Sequence, residues 1–543
     1  MTMLRLALFT SGFGLLALGA GCTAEFTADG ETGGAGGMGG TAGVGGTAGT
    51  GGAAGTGGSA GAAGAASAGG TAGAGGTGGS CNGAATPSED SCVVTEDYGV
   101  FVSPKGDDAT ADGSKGAPYA TLEAGLAAAY AAGKRVYACS SEGEFKPNGN
   151  LLVIDDSLSG SQLYGGLDCE SWAYDAAKPT AVVGDYAALY VNGVKGGLRV
   201  EDFSFRAADQ AQNSSIGALV KDSDGVLFKR VQFIAGQGGN GDDGDDGTNG
   251  DSGTSGADSQ KGEDGICTAP GVRRGGRWSG PSACGSTGGP GGDSDFVFGP
   301  ENGTAGLPSG NANAGPAGTI SAVNGVSGTD GAKGADGSVG TVAAAIGLFH
   351  EDGYDPANGS PGTTGAVGQG GGGGGGGFKN AASTCAGGGG GAGGMGGCGG
   401  AFGLAGGGGH ASVGLLVSQS SVTLTDCFLQ SASGGAGGKG GDGGNGGPGG
   451  EGASGGASAG GSGKGGRGGV GGDGGGGGSG SGGAGGPSYG LVYIGAKPGE
   501  TNSCTFSVGT GGPGGHGGSQ AGVNLNPAPD GMSGESGEIY EQL

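Results

Sequence analysis

The sequence is poor in the residues that build most enzyme cores and nucleic-acid sites. Aromatic residues make up 6% of its 543 residues, charged residues 13%, and there are three histidines. Lysine and arginine total 23 against 49 aspartates and glutamates, a net charge of −26. Because phosphate binding needs clustered cations, this balance argues against nucleic acid or an anionic membrane surface as a partner. No cysteine pair has CxxC spacing, so a zinc site of that type has no support.

A short apolar segment follows the only early charge. Arg5 precedes the apolar residues 6–18, and a Gly-Ala-Gly run leads to Cys22. The segment is too short to span a bilayer and predicts a secretory signal over residues 1–21. It resembles a bacterial lipoprotein signal, which implies acylation (palmitate) of Cys22 and, with Thr23 next, sorting to the outer membrane. An ordinary cleaved signal peptide is the alternative.

Glycine is the most abundant residue, at 158 positions, and much of it recurs with a period of three. The period covers residues 34–79 and returns from positions 238, 434 and 511. Residues 34–79 contain no proline, which argues against a stable collagen triple helix. Packed polyproline-II-like helices and flexible coil remain open for the later tracts. We expect residues 34–79 to be a flexible tether.

The chain before the later tracts predicts one helix and several strands. Thr121 can cap a helix that ends at Gly133, with Leu122, Leu126 and Tyr130 on one face. Short β-branched and aromatic runs between glycine and serine turns predict strands. These strands are predicted at residues 99–103, 136–139, 151–154 and 162–164.

Three eight-residue segments share one apolar pattern. Residues 198–205, 226–233 and 422–429 are apolar at positions 1, 3, 6 and 8, and residues 499–506 keep the last two. A glycine pair opens a tract five residues after the second, third and fourth copies. A unit of this size cannot bury its apolar face alone, so the repeat predicts stacked coils with insertions at one site.

Three phrases in this region resemble those of a known family. They are Val102-Ser-Pro-Lys-Gly-Asp107, Pro118-Tyr-Ala-Thr-Leu122 and Leu163-Tyr-Gly-Gly166. They are similar to exported bacterial proteins of the pectin-lyase-like class, and the glycine tracts resemble PGRS-type surface proteins. The resemblance implies an all-β fold, a right-handed parallel β-helix with a short N-terminal helix and long glycine-rich insertions.

The domain boundaries follow from the signal, the tracts and the repeat. A lipidated tether is expected at residues 22–96, after the signal. Coils of the β-helix are expected at residues 97–237, 412–433 and 488–510. Glycine-rich insertions or tails are expected at residues 238–411, 434–487 and 511–543.

The ten cysteines other than Cys22 predict disulfides, since the number is even and an exported chain is oxidised. Cys427 and Cys504 share position 6 of the repeat, which predicts a bridge between coils; two buried thiols are the alternative. Sequence alone does not fix the other connectivities. Proximity suggests Cys81 with Cys92, Cys139 with Cys169, Cys267 with Cys284, and Cys385 with Cys398.

The charged residues of the repeat admit two interpretations. Glu201 and Asp202 precede Lys229 and Arg230 by one coil, with Asp426 possible as the next member. Polysaccharide-cleaving β-helices use such groups, but stacked opposite charges stabilise a sheet surface more simply, and we favour the second interpretation.

The remaining polar candidates indicate no site. His350, His410 and His516 are far apart in sequence, without metal-ligand companions. The acidic residues 242–264 lack the order of an EF-hand loop and predict a solvated segment.

The sequence therefore predicts a non-catalytic surface lipoprotein with an adhesive or envelope-structural role. It would be lipid-anchored at the outer membrane or cell surface, without a cofactor, a metal or nucleic acid, and could contact extracellular polysaccharide or another cell. A carbohydrate-binding or polysaccharide-cleaving β-helix protein, lyase or hydrolase, is the alternative.

Overall fold

The computed structural model describes residues 81–268, 271–308, 314–343, 347–382, 384–521 and 527–543. The predicted signal, Cys22 and most of the predicted tether lie outside these residues. The described strands are, in chain order, β1 (Gly99–Val102), β2 (Arg135–Cys139), β3 (Leu152–Asp155), β4 (Gln162–Leu167), β5 (Thr180–Gly184), β6 (Ala187–Asn192), β7 (Leu198–Glu201), β8 (Phe203–Ala207), β9 (Ser215–Lys221), β10 (Val226–Lys229), β11 (Gln232–Ile234), β12 (Ser294–Asp295), β13 (Gly299–Pro300), β14 (Gly347–His350), β15 (Gly353–Pro356), β16 (Ser412–Ser418), β17 (Val422–Thr425), β18 (Phe428–Gln430), β19 (Ser488–Ile494), β20 (Thr505–Ser507) and β21 (Ser536–Gln542).

The fold is all-β with parallel sheets. Sheet I has the order β1-β2-β4-β7-β10-β17, sheet II the order β5-β8-β11-β18-β20, and sheet III the order β3-β6-β9-β16-β19-β21. Neighbouring strands in all three are parallel, whereas β12-β13 and β14-β15 are antiparallel hairpins. Apolar side chains from the three sheets form one core, which includes Val200, Phe205 and Val220.

The predicted repeat matches the observed registers. Val226 pairs with Leu198 on one side and with Val422 on the other, and Phe233 pairs with both Phe205 and Leu429. The fourth copy joins at Phe506, as its last two positions predict. Positions 1, 3, 6 and 8 are therefore the inward positions of stacked strands.

The described residues contain one α-helix, α1 (Leu122–Ala132), which lies between β1 and β2 in the chain. The Thr121 side chain accepts a hydrogen bond from the Ala124 amide, and Gly133 ends the helix in the left-handed conformation, both as predicted. The predicted face is wrong at one residue, since Tyr130 is 49% exposed while Leu122 and Leu126 are buried. Short 3₁₀ helices cover Ser91–Val93, Asn148–Asn150, Asp156–Leu158, Asp258–Gln260 and Thr501–Ser503.

The glycine tracts form ordered helices that hydrogen-bond to one another, which resolves the alternative left open above. From Gly370 to Phe378, nine successive backbone amides donate to carbonyls of neighbouring tracts. Every third amide donates to the same neighbour, and the three neighbours are residues 301–307, 323–329 and 388–394. This is the pattern of a three-residue helix surrounded by similar helices.

We call these hydrogen-bonded tracts the glycine-helix bundle. The long tracts leave sheet II and return to sheet III, and the ladder between β11 and β18 continues into them, from Ala235 to Gln430 and then from Gly241 to Ala436. The bundle comprises residues 238–265, 287–292, 301–307, 314–318, 325–340, 357–377, 387–409, 434–457, 463–486, 511–519 and 527–534.

A helix with three residues per turn has three sides, and glycine occupies the positions on each side that packs against a neighbouring helix. A Cβ on Gly373, Gly374 or Gly375 would lie closer than 3.0 Å to a facing carbonyl oxygen, so this interior tract is glycine at all three positions. Residues 238–256 have glycine at every third position, with aspartates, asparagines and threonines on the free edges. The glycine content of each tract is thus explained by close packing between helices and not by a need for flexibility.

Candidate functional site at the bundle tip

Four disulfides join cysteines of the described residues, two of them as proximity predicts. Cys81–Cys92 and Cys139–Cys169 are bonded, but the other two predicted pairs are wrong. The structure instead joins Cys267 to Cys385 and Cys284 to Cys398. Tract adjacency explains both pairs: the Ala386 amide bonds the Ile266 carbonyl beside the first pair, and the Gly396 amide bonds the Ser286 hydroxyl beside the second.

Cys427 and Cys504 are free thiols, so the predicted disulfide between them is wrong. The predicted register is right, since the next residues, Phe428 and Thr505, pair. Side chains on adjacent parallel strands point the same way, and the Cys427 thiol bonds the Phe228 carbonyl at 3.5 Å instead. A hydrogen bond to Cys504 and burial raise the pKa of Cys427, while the same hydrogen bond lowers the pKa of Cys504 to about 7.

The charged column on the sheets is a closed ion-pair network. Asp202 lies 2.8 Å from Arg230, as predicted, and both Glu201 and Asp202 are buried. Glu201 pairs with Arg199 and Arg230 rather than with Lys229, which only shares its register. Hydrogen bonds to Asp202 raise the pKa of Arg230. Both carboxylates are therefore fully engaged.

The acidic tract is a ladder of backbone caps, which the sequence analysis missed. Asp243 and Asp246 accept hydrogen bonds from the backbone amides of Lys439 and Asp442, at 2.6 and 2.7 Å. The surface amides of residues 434–457 have no neighbouring tract on that side, and these side chains take its place. The same contact recurs from Asn240, Asn249, Ser255 and Asp264, and in a second ladder from Asn324, Asp330 and Asp336.

These caps predict that the bundle loses stability in acid. The backbone amide of Ala457, followed by Lys261, lowers the pKa of Asp264; Lys333, followed by the Gly476 amide, lowers the pKa of Asp336. A lowered folded-state pKa gives stability that is present above the ordinary carboxyl pKa, about 3.9, and is lost as the pH falls through the folded value.

We therefore expect Asp264→Asn combined with Asp336→Asn, which keeps an acceptor oxygen, to flatten the fall in Tm between about pH 4 and pH 2. Differential scanning calorimetry across that range measures it. The control is Asp97→Asn, at an exposed residue without such a contact among the described residues. A curve that is unchanged from the natural chain would contradict the role of the ladder.

Two of the three histidines, which are far apart in sequence, lie together in the structure. His350, on β14, and His410, at the end of a returning tract, line one cavity of about 450 Å³ beside sheet III. His516 lies elsewhere, 3.3 Å from Asp530 and 85% exposed. Their distance in sequence gave no sign of this shared cavity, because it is the hairpin β14-β15 that brings His350 beside it.

The glycine-helix bundle ends in turns far from the sheets, which we call the tip. The tract that leaves sheet II at position 238 reaches the tip near position 265, and tracts return from there. A three-residue helix rises about 3.1 Å per residue, so the tip stands roughly 80 Å from sheet II. The tip turns are residues 258–268, 293–300, 319–324, 378–382 and 458–462.

Large apolar side chains are exposed at the tip. Phe298 is 91% exposed, Val297 73% and Ile320 80%. Phe298 and Val297 sit on the β12-β13 hairpin, where Asp295 accepts hydrogen bonds from both amides. Both turns adjoin the same end of the central tract, because Ser294 bonds the Gly377 carbonyl and Gly318 bonds that of Gly376.

Cations are also concentrated at the tip of this acidic chain. Arg273, Arg274 and Arg277 fall within five residues, and Arg273 bonds β12 through its backbone. Lys379 lies over the Phe296 ring at 5.5 Å. Arg274 and Lys464 are exposed and form no ion pair with any described residue. The tip thus combines exposed apolar groups with unpaired cations.

No family model matches the chain, and no curated protein or solved structure matches it either. Among the described residues, no helix is long and apolar enough to cross a membrane.

Proposed function

We propose that the protein is a non-catalytic adhesive lipoprotein of the outer membrane or cell surface, whose glycine-helix bundle carries a contact site at its tip. The observation that carries the proposal is the tip itself. Exposed Phe298 and Ile320 lie on tip turns roughly 80 Å from the sheets. The unpaired cations Arg274 and Lys464 are bonded through their backbones to tip turns, at Glu263 and Asn324.

The fold that fits this role is a right-handed parallel β-helix. The register of the repeat supports this fold, because the chain passes from sheet I to sheet II and then to sheet III in successive coils. Each inner strand of such a stack is paired on both sides, so the stack provides a rigid base for the glycine tracts. The glycine-rich segment after Cys22 would be the tether to the lipid.

The partner that we propose is an anionic extracellular polysaccharide on another surface. Arg274 and Lys464 can bind carboxylate or sulfate groups, while Phe298 supplies apolar contact. The net charge of the whole chain is −26, which disfavours side-on approach of the same polymer, so binding would concentrate at the tip.

The catalytic alternative is less well supported. The carboxylates that sequence reasoning offered for it, Glu201 and Asp202, are buried in ion pairs with Arg199 and Arg230. A general acid or base must instead reach a substrate proton.

Adhesion of cells displaying the full chain to immobilised alginate tests the proposal. We expect Phe298→Ala with Ile320→Ala, and separately Arg274→Ala with Lys464→Ala, to reduce adhesion at least about tenfold, or 1.4 kcal/mol. The matched control is Phe402→Ala with Leu404→Ala, two exposed apolar residues on the side of the bundle.

The anchor is tested in the same cells. Cys22→Ser should abolish fatty-acid labelling and surface display, and adhesion with them, whereas the tip variants should remain displayed. Full adhesion by displayed tip variants would contradict the adhesive site, and unchanged membrane association of Cys22→Ser would contradict the anchor.

A further inference from the structure

The hairpin β14-β15 forms one wall of a preformed cavity on sheet III. Phe349 is buried against Tyr354, Tyr489 and Tyr540, with ring centroids 4.8, 6.1 and 5.8 Å away. These contacts use the face of sheet III that is turned away from the main core. The hairpin is therefore held firmly on the sheet.

Charged groups fasten the same hairpin. The Lys221 ammonium lies 3.0 Å from both Glu351 and Asp352, and the Tyr190 hydroxyl donates to Asp352 at 3.4 Å. The pKa of Lys221 is raised by these contacts, so it stays charged and engaged. Since both ion pairs engage the Lys221 ammonium group, it is not free to bind an anionic ligand.

Beside the hairpin, a cavity of about 450 Å³ presents polar groups that lack protein partners. This volume lies within the range of small-molecule sites, about 300–1,000 Å³. The side chains of Tyr186, Asn213 and His410 line it and make no hydrogen bond to another described residue. A second space of about 70 Å³ shares Tyr186 and Asp352 with it.

His410 is the most informative of these groups. Its ring is half-buried, and burial lowers its pKa, so at neutral pH the ring is uncharged and offers one donor and one acceptor. The ring is only partly exposed and makes no side-chain hydrogen bond to a described residue, so it is free to bond a ligand hydroxyl group or water in the cavity.

The cavity favours a neutral ligand over a metal or an anion. His350 lies 3.5 Å from Asp355, and Asp352 and Asp355 make the opening mildly acidic. Among the described residues, the cavity groups do not converge to metal-ligand distances. Tyr186 is 44% exposed and presents a ring face on which the apolar face of a sugar can pack.

We propose that this cavity binds a neutral sugar unit of a glycan, with Tyr186 as the packing surface and His410 and Asn213 as hydrogen-bonding partners. The site is independent of the tip and of the partner proposed for it. It recognises hydroxyl groups rather than charge.

Isothermal titration calorimetry of the full chain tests this site with neutral gluco-, galacto-, manno- and xylo-oligosaccharides at millimolar concentration, and with polygalacturonate as the anionic comparison. We expect at least one neutral series to bind. Tyr186→Ala and His410→Ala should each weaken that binding about tenfold or more, and Tyr186→Phe, which keeps the ring, should weaken it less.

The control is His516→Ala, which removes an exposed histidine outside the cavity and should leave binding unchanged. Failure of every neutral series to bind the natural chain would overturn the proposal. Equal affinity in the natural chain and the folded Tyr186→Ala and Tyr186→Phe variants would overturn it too, as would a preference for polygalacturonate that these variants abolish.

Discussion

Replacing Gly474 by alanine should lower the free energy of unfolding by about 3 kcal/mol. Gly474 is buried in a returning tract, and its amide donates to the Gly447 carbonyl. A Cβ there would overlap sterically with the Cys398 carbonyl oxygen, on a third tract. Because the obstacle is backbone on rigid neighbours, no side-chain rotation can relieve it.

Chemical denaturation monitored by circular dichroism measures this loss. Gly280→Ala is the matched control, since a Cβ at this exposed glycine meets nothing within 4 Å. Alanine also restricts the unfolded chain, so the control should be neutral or slightly stabilising. Equal stabilities of the two variants would mean that the tracts are not closely packed.

Removing the two disulfides that link glycine-rich tracts should destabilise the chain more than Gly474→Ala does. Cys267–Cys385 and Cys284–Cys398 enclose 118 and 114 residues of sequence separation. While one bridge is intact, the other closes a loop of only about 30 residues. This loop consists of the segments from Cys267 to Cys284 and from Cys385 to Cys398. The chain-entropy model then predicts that losing the first bridge lowers the free energy of unfolding by about 3.5 kcal/mol. Losing the second bridge as well lowers it by about 5 kcal/mol more.

Serine variants of one pair and of both pairs, unfolded in urea, measure these steps. The comparison is Cys81→Ser with Cys92→Ser, whose separation of 11 predicts a loss of about 3 kcal/mol. A loss from the double-pair variant no greater than that of the comparison would contradict the connectivity described above.

The part of the fold that sequence reasoning reached is the part set by local periodicity. Apolar positions 1, 3, 6 and 8 predicted the pairing of Val226 with Leu198 and Val422, because a side chain's face in a strand follows from its position alone. The capped helix, with Thr121 and Gly133 at its ends, was predictable for the same reason.

The rest depends on which tracts become neighbours. Cys267 pairs with Cys385 rather than with Cys284 because bundle packing places those chains side by side. The cap ladder did leave a signal, an asparagine or aspartate at every third position from Asn240 to Asn249, but its meaning requires the facing amides of another tract. The cavity with His410 likewise requires the hairpin.

Amide hydrogen exchange measures whether the glycine tracts form an ordered hydrogen-bonded bundle. The nine amides from Gly370 to Phe378 all donate to carbonyls of neighbouring tracts, so they should exchange as slowly as the amides of β16 and β19 in sheet III. Exchange of residues 370–378 at the rate of an unstructured peptide, while sheet III remains protected, would contradict the bundle.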